Sequence, residues 1–559
     1  MKTTLALVML LLLAFSGSSD TSSARTTWRV AQFENVLGTS LELKFAVASD
    51  ESAARAESAA LAEIERLNHI LSGYDRDSEF NRWLNTPGQP VRVSPELFDV
   101  LNLFEQWRAR TNGALDPAAQ VVSKLWQRTA TEQRTPTADE LQTAIATIRQ
   151  PHYRLEAATQ TATRLDQAPL ILNSFAKSYI VNRAADAAMR AAQLNGLVVN
   201  IGGDLVIRGA LAESVRIADP KADAENDEPL ARLLVRDRAV ATSGNYRRGV
   251  EINGRWYSHI VDPRTALPVD HVISATVVAP LASDAGALAT AFCVLTPEES
   301  LRLAASLPDV ECLLITKNGA RLTSKGWHAL EVPIAPRAKT TAAPTAAAGQ
   351  AWDQSLELAV NFELARIDDM RYRRPYVAVW VEDKDRFPVR TLALWYQKPR
   401  WLPDLRAWSR ADRLRNMAEG SDITASVSSA TRPAGKYTLK WDGKDTQGKL
   451  VKPGKYTVKY SYEHYTIPDQ FTLRYNGNVL LNTGFVGCSS SSPSISASFQ
   501  VSARRRSTSV RPFSQMILAF TAKNGSGPSS GRACTMPPPV SRISDSSEKT
   551  ISISVRCFR

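Results

Sequence analysis

The sequence predicts an α+β domain built on a mixed sheet, followed by a small all-β sandwich domain. Three observations carry this expectation. From residue 28 to about residue 332, strand-like alternation (LELKFAVAS) and Ala/Glu/Leu-rich helical spacing succeed one another without the regular strand-helix-strand order of a doubly wound fold. Residues 335–350, APRAKTTAAPTAAAGQ, are Ala/Thr/Pro-rich and aperiodic, as an interdomain linker is. Beyond them, residues 351–465 include YVAVWVED, VRTLALWY and KYTLKWDGKDTQGKLVKPGKYTVKYSY, which alternate between Asp-Gly, Gln-Gly and Pro-Gly turns. A chain of 559 residues needs more than one hydrophobic core in any case.

The two ends read differently from the domains. Lys2 precedes an apolar run, Leu5 to Phe15, too short to span a bilayer and followed by small polar residues, so residues 1–24 read as a signal peptide cleaved between Ala14 and Arg25. The expected protein is periplasmic or otherwise exported, and no cysteine near the cleavage region supports a lipid anchor. Cys293 and Cys312 sit in apolar surroundings (AFCVL, ECLLI) and are expected as buried free thiols. The net charge of +12 is a property of the tail: residues 485–559 hold ten Lys or Arg against two Asp or Glu, a surplus of eight. Outside the tail nothing argues for nucleic acid. The chain is not expected to be an integral membrane protein, which leaves peripheral contact as its membrane option. Residues 466–559 are Ser/Arg-rich with three of the five cysteines, and are expected to be a disordered or out-of-frame tail.

Taken in order, residues 28–50 alternate as a strand and residues 51–71 space as a helix. The polar loop LSGYDRDSEFNRWLN, residues 71–85, contains Tyr74. A second helix starts with Ser94 as N-cap and Pro95 at the first helical position, with Leu97, Leu101, Phe104 and Trp107 on one face. GALDP, residues 113–117, reads as a tight loop whose backbone can approach a ligand. Thr137 to Glu140 and Thr296 to Glu299 are capping-box matches. ILNSFAKSYIVNRAADAAM, residues 171–189, is a loop entering a helix with Lys177 near its start, where a lysine can join the helix dipole in holding a phosphate. LVVNIGGDLVIRG is a hairpin around Gly-Gly-Asp, and ATSGNY ends another strand. SHIVDPRTALPVDHVISATVVAPLASDAGALAT, residues 258–290, gathers a base, a carboxylate and a guanidinium in one turn, then a strand and a small-residue helix carrying Thr290.

In this order and spacing, Tyr74 with SEFNRWLN, GALDP, FAKSYIVNRAAD, VNIGGD, ATSGNY, SHIVDPRTALPV and ALATAFCVL resemble the ApbE family, the FAD:protein FMN transferases, over about residues 28–332. The resemblance implies an ApbE-like mixed-sheet domain in an exported, Mg2+-dependent enzyme. Its substrate would be FAD, whose FMN half is transferred to a Thr or Ser hydroxyl of an exported flavoprotein acceptor with release of AMP, FAD pyrophosphatase activity being a side reaction. It further implies that Tyr74 contacts the isoalloxazine ring. Ala114, Leu115, Asp116 and Lys177 would hold other parts of FAD, and the backbone at Val261 would close over it. His259 would be the base, with Asp262 and Arg264 shaping its turn. The metal ligands would be Ser174, Asp284 and Thr290. The second domain is similar to an uncharacterised β domain appended to exported ApbE-like proteins, with Trp380, Trp395 and Trp441 as packing residues.

The chain departs from the family pattern at four positions. Gly286 stands where an aspartate one helical turn before Thr290 would help grip the metal. Asp284 lies six residues before Thr290 and reaches an ion only if the helix begins near Ala285 with Asp284 as its N-cap. Ile171 replaces an aspartate, Ser178 a glycine and Ala266 a glycine. The alternative function is therefore a FAD-binding or scaffold protein with a degraded metal site.

Overall fold

The computed structural model describes residues 27–222, 224–246, 248–333, 358–364, 374–397, 399–420, 423–452 and 455–463, and five strands beyond them. The expected signal peptide and the linker at 335–350 lie outside the described residues. Eight strands make the main sheet, in strict chain order: β1 (Thr27–Val36), β2 (Thr39–Val47), β3 (Gly196–Ile201), β4 (Asp204–Gly209), β5 (Ala239–Gly244), β6 (Val272–Ala279), β7 (Glu311–Thr316) and β8 (Arg321–Thr323). The α+β class is as expected, but the sheet is not mixed in direction: every pairing in it is antiparallel. Each strand is joined to the next by a turn, or by an excursion that returns to the adjacent position, and neither requires a parallel crossover.

Both faces of this sheet are buried, which is why its strands read as near-continuous apolar runs. Val199, Ala241, Val277 and Leu314 point to the helical side. Val198, Val240, Val278 and Leu313 point the other way, under Trp327 and a hairpin formed by Ala212–Ile217 and Ala231–Arg236. On the helical side lie α1 (Asp50–Leu71), α2 (Pro95–Arg110), α3 (Gln120–Thr131), α4 (Ala176–Ala191), α5 (Ala282–Val294) and α6 (Pro297–Ser306). Ser94 caps α2 by accepting from Leu97 N, and Leu97, Leu101 and Phe104 are fully buried. Each such side chain contributes about 1.5–3 kcal/mol by burial. The sequence of α5, ASDAGALATAFCV, is small and apolar around most of its circumference because the helix lies against β5 and β6 with almost no exposed face.

The second domain is a sandwich. Leu358–Leu364 pairs with Gly435–Trp441 and faces a sheet containing Tyr376–Glu382, Pro388–Trp395 and Lys455–Glu463. Trp395 and Trp441 fill the space between the layers, while Trp380 points to the opposite face, as strand alternation requires. That opposite face is covered by α7 (Arg406–Glu419) through Trp408 and Ala411, an element that strand alternation gave no reason to expect. β-Pairing also continues past residue 465, where the composition predicts a disordered tail. Ile495–Ser502, Gln515–Lys523 and Glu548–Arg556 extend the sheet from Lys455–Glu463, and Phe471–Tyr475 pairs with Asn478–Thr483. Segments such as ISASFQVS and MILAFTA carry enough β-branched and aromatic residues to form strands within Ser-rich sequence.

The two domains touch along a polar seam. Gln32 N donates to Gln397 O at 3.1 Å and Glu225 N to Thr438 O at 2.9 Å. The Asn226 side chain bridges both main-chain groups of Lys440, donating to its carbonyl at 2.7 Å and accepting from its N–H at 2.8 Å. Lys440 pairs with Asp227 at 3.0 Å and Arg432 with Glu225 at 3.2 Å. Among the described residues no helix is long and apolar enough to cross a membrane.

Candidate active site

Tyr74 is 84 % exposed on a loop whose backbone is held firmly. Ser72 Oγ accepts from the N–H groups of Tyr74 and Asp75, while Ser78 Oγ and Asn81 Nδ2 both donate to Ser72 O. Asn81 also donates to Asp75 O at 2.6 Å. The ring is tethered at its far end, where Asn173 Nδ2 donates to the Tyr74 hydroxyl at 2.8 Å. An exposed aromatic face on a braced loop is suited to stacking a planar ring.

Asn173 is followed by Ser174, and Ser174 meets α5. Thr290 Oγ1 donates to Ser174 O at 3.2 Å and lies 3.3 Å from Ser243 Oγ at the end of β5. Three oxygens from three elements thus converge: one carbonyl and two hydroxyls. Lys177, in the first turn of α4, places Nζ 3.3 Å from Asp204 Oδ2, and Ser178 Oγ donates to the same oxygen at 2.6 Å. Asp204 opens β4 after the Gly202–Gly203 turn, in which both glycines have positive φ.

Asp284 is elsewhere. Helix α5 begins at Ala282 with Leu281 as N-cap, so Asp284 lies inside the first turn and is not the cap. It stands beside Trp107 and Arg110 at the end of α2, and burial raises its carboxyl pKa. Six residues before Thr290 is about 600° of helical rotation, which puts the two side chains on different faces. Asp284 is therefore not the N-cap that the sequence required for it to reach an ion beside Thr290.

The loop at residues 113–117 is drawn inward. Ala114, Leu115 and Asp116 are all nearly fully buried. Asp116 caps the short turn Pro117–Ala119 through Ala118 N at 2.7 Å and pairs with Arg108 Nε at 2.6 Å. Burial pushes its carboxyl pKa up, against the opposing pull of Arg108. Its side chain is thus engaged in building the loop. Pro117 O accepts from Ile171 N at 2.9 Å, which ties this loop to the Asn173–Ser174 segment.

The turn after β-strand Arg255–Ser258 completes the region. Asp262 accepts a bidentate pair from Arg264, Nε at 2.9 Å and Nη2 at 2.8 Å, and also accepts from Arg264 N. Arg264 packs over Gly113, so the two loops adjoin. Val261 is buried and pairs with Pro268, and Ala266 closes the turn at φ 57°, a left-handed conformation that favours the glycine it replaces. Trp126 Nε1 donates to Ala266 O at 2.9 Å and holds it there. His259 is exposed, with Nδ1 3.0 Å from Arg248 O. A carbonyl can only accept, so the proton resides on Nδ1 and Nε2 is the basic nitrogen. Although its surface reaches solvent, the chain packed around the ring partly desolvates it and lowers its pKa, against the effect of that hydrogen bond and with that of the Arg248 charge.

Residues 37–314 match the ApbE family. A protein of Treponema pallidum named FAD:protein FMN transferase is 31% identical over 281 residues, covering 46% of this chain and 77% of its own length. The chain belongs to the ApbE family. A Vibrio cholerae protein of the same name is 30% identical over 260 residues, covering 45% of this chain and 77% of its own length. Among solved structures, the ApbE protein of Thermotoga maritima covers 55% of this chain and 100% of its own, at 24% identity and a TM-score of 0.49. Residues 357–461 match a family described as a predicted periplasmic protein, DUF2271.

Of the residues singled out from the sequence of this ApbE-family chain, the contacts link Tyr74, Ser174 and Thr290 in one chain of partners and Asp262, Arg264 and the 113–117 loop in another. His259 belongs to the second group through its turn; no hydrogen bond or ion pair of the described residues joins it directly to Lys177 or Thr290. Asn173, Ser243 and Asp204 were not singled out. Ser243 and Asp204 lie inside motifs that carried the resemblance, and Asn173 lies two residues before one, but their roles as partners arise from segments distant in sequence. As for the magnesium ion that the resemblance implies, the oxygens that converge at Thr290 are all neutral. Among the described residues no three His, Cys, Asp or Glu side chains gather as a metal site. A hard divalent ion is ordinarily held by one or two carboxylates. The donor set does not fit a site that holds magnesium unaided.

Proposed function

We propose that this chain transfers the FMN half of FAD to a Thr or Ser hydroxyl of an exported flavoprotein acceptor, releasing AMP. The observation that carries the reading is the adjacency of Asn173 and Ser174: one tethers an exposed aromatic ring, the next meets the Thr290–Ser243 oxygen cluster. A flavin stacked on Tyr74 would direct its pyrophosphate toward that cluster and Lys177. The names of the ApbE-family relatives support the same chemistry.

In the reaction, the acceptor oxygen attacks the phosphorus of the FMN half. The bond from that phosphorus to the bridging oxygen breaks, AMP leaves with the oxygen, and the acceptor proton passes to His259 Nε2. Lys177 balances charge on the phosphate oxygens, and the Asp262–Arg264 pair fixes the turn that carries the base. Water in place of the acceptor gives FMN and AMP, the pyrophosphatase side reaction.

The test is to incubate the mature full-length chain with FAD, Mg2+ and an exported flavoprotein acceptor, then read covalent flavin fluorescence on the denatured acceptor and AMP by chromatography. Both should appear in equal amounts. Tight FAD binding with no AMP at any Mg2+ concentration would overturn the proposal in favour of a flavin-binding scaffold, a reading that the neutral oxygen set at Thr290 favours.

A further inference from the structure

Position 286 lies one helical turn before Thr290, so a side chain there would share the face that meets Ser174 and Ser243. A Cβ placed on Gly286 would overlap Ser178 Oγ, lie 2.9 Å from Ser178 Cβ and 3.3 Å from Phe175 Cβ. Ser178 is fully buried and cannot swing into solvent. Its hydroxyl is engaged with Asp204 Oδ2 at 2.6 Å, and Lys177 Nζ is 3.3 Å from that same oxygen. Two consequences follow. Residues 178 and 286 cannot both carry a side chain in this packing. The carboxylate that Ser178 reaches is already matched by a hydroxyl and an ammonium, leaving the Thr290 pocket with neutral oxygens.

We infer that Ser178 and Gly286 are a mutually exclusive pair, and that in its Ser/Gly state the pocket takes a divalent cation only together with a ligand whose phosphate oxygens supply the negative charge. The inference rests on the flavin-transfer reading only for the identity of that phosphate ligand. The Ser178 hydroxyl fills the volume that a side chain at position 286 on α5 would need.

Two measurements on the mature full-length chain test this. Mn2+ alone is titrated and free ion is followed by electron paramagnetic resonance. The wild type and Gly286→Asp should show no saturable binding below about 1 mM, whereas the double variant Ser178→Gly with Gly286→Asp should bind one ion at least about tenfold more tightly than wild type. Addition of FAD should make Mn2+ binding by the wild type saturable. Saturable Mn2+ binding by the unliganded wild type, or equally tight binding by Gly286→Asp alone, would overturn the inference. Thermal melts of the Ala series keep the pair testable if the Asp variants fail to fold. Gly286→Ala should melt lower than wild type, and adding Ser178→Gly should recover at least half of the loss. A Gly286→Ala protein that melts at the wild-type temperature would refute the exclusion. FAD that does not bind at all, as read by its own fluorescence, would refute the flavin reading while leaving the Mn2+ and melting results to decide the pair.

Discussion

A histidine whose Nδ1 hydrogen is committed to a carbonyl is a base at Nε2, and lowering its pKa keeps that base free of protons at neutral pH. His259→Ala should therefore lower the transfer rate by about 10²–10⁴-fold with FAD affinity little changed, checked by single-turnover kinetics beside FAD titration. The acid limb of the rate profile should have its midpoint below the ordinary histidine pKa. For stability the sign is the same: the native state binds fewer protons at this group than the unfolded chain. Its effect is absent above the ordinary pKa, and stability falls as pH drops from there through the depressed value. Asp262→Ala should cost about 2 kcal/mol, because Arg264 loses its bidentate partner, and a urea midpoint would register it. Burial pushes the Cys293 thiol up to about 12 and that of Cys312 to about 11, so both stay protonated near neutral pH. Alkylation mapped by mass spectrometry should label these two only after denaturation.

At the scale of elements, the caps were legible because they are local. Thr137 and Thr296 each accept from the residue three positions on, and each is met by the reciprocal Glu, so both capping boxes form as the sequence indicates. Thr296→Ala should cost about 1 kcal/mol and lower the melting temperature by a few degrees, without effect on flavin binding. The start of α5 was not legible in the same way. Asp284 has the residue type of an N-cap, yet the helix begins earlier at Ala282, and its N-cap Leu281 offers no side-chain acceptor. Ala282 N instead lies 3.3 Å from Asn182 Oδ1, an acceptor supplied by α4. A cap supplied by another helix leaves no mark in the sequence next to the end it caps.

At the scale of the molecule, the polar seam joins the ApbE-family domain to the sandwich domain through hydrogen bonds and ion pairs. Asn226→Ala removes both bonds to the Lys440 main chain, a loss of about 1–3 kcal/mol. Calorimetry should then resolve unfolding of the two domains into separate transitions, with FAD binding intact. A single unchanged transition would mean that the rest of the seam suffices.

The features legible in the residues alone were periodic or contiguous: the α+β order, the sandwich strands with their Gly turns, the helix spacing of α2, the capping boxes, and the motifs that place the chain in its family. Those signals rest on neighbours within a few residues, where side-chain type fixes backbone geometry. Long-range packing settled which carboxylates face the site. Asp284 turned toward Trp107 and Arg110, Asp116 toward Arg108, and Asp204 toward Ser178 and Lys177. It also turned two separate departures, Ser178 and Gly286, into one packed contact between α4 and α5. Residues more than a hundred positions apart share that volume, and no local pattern records what fills it.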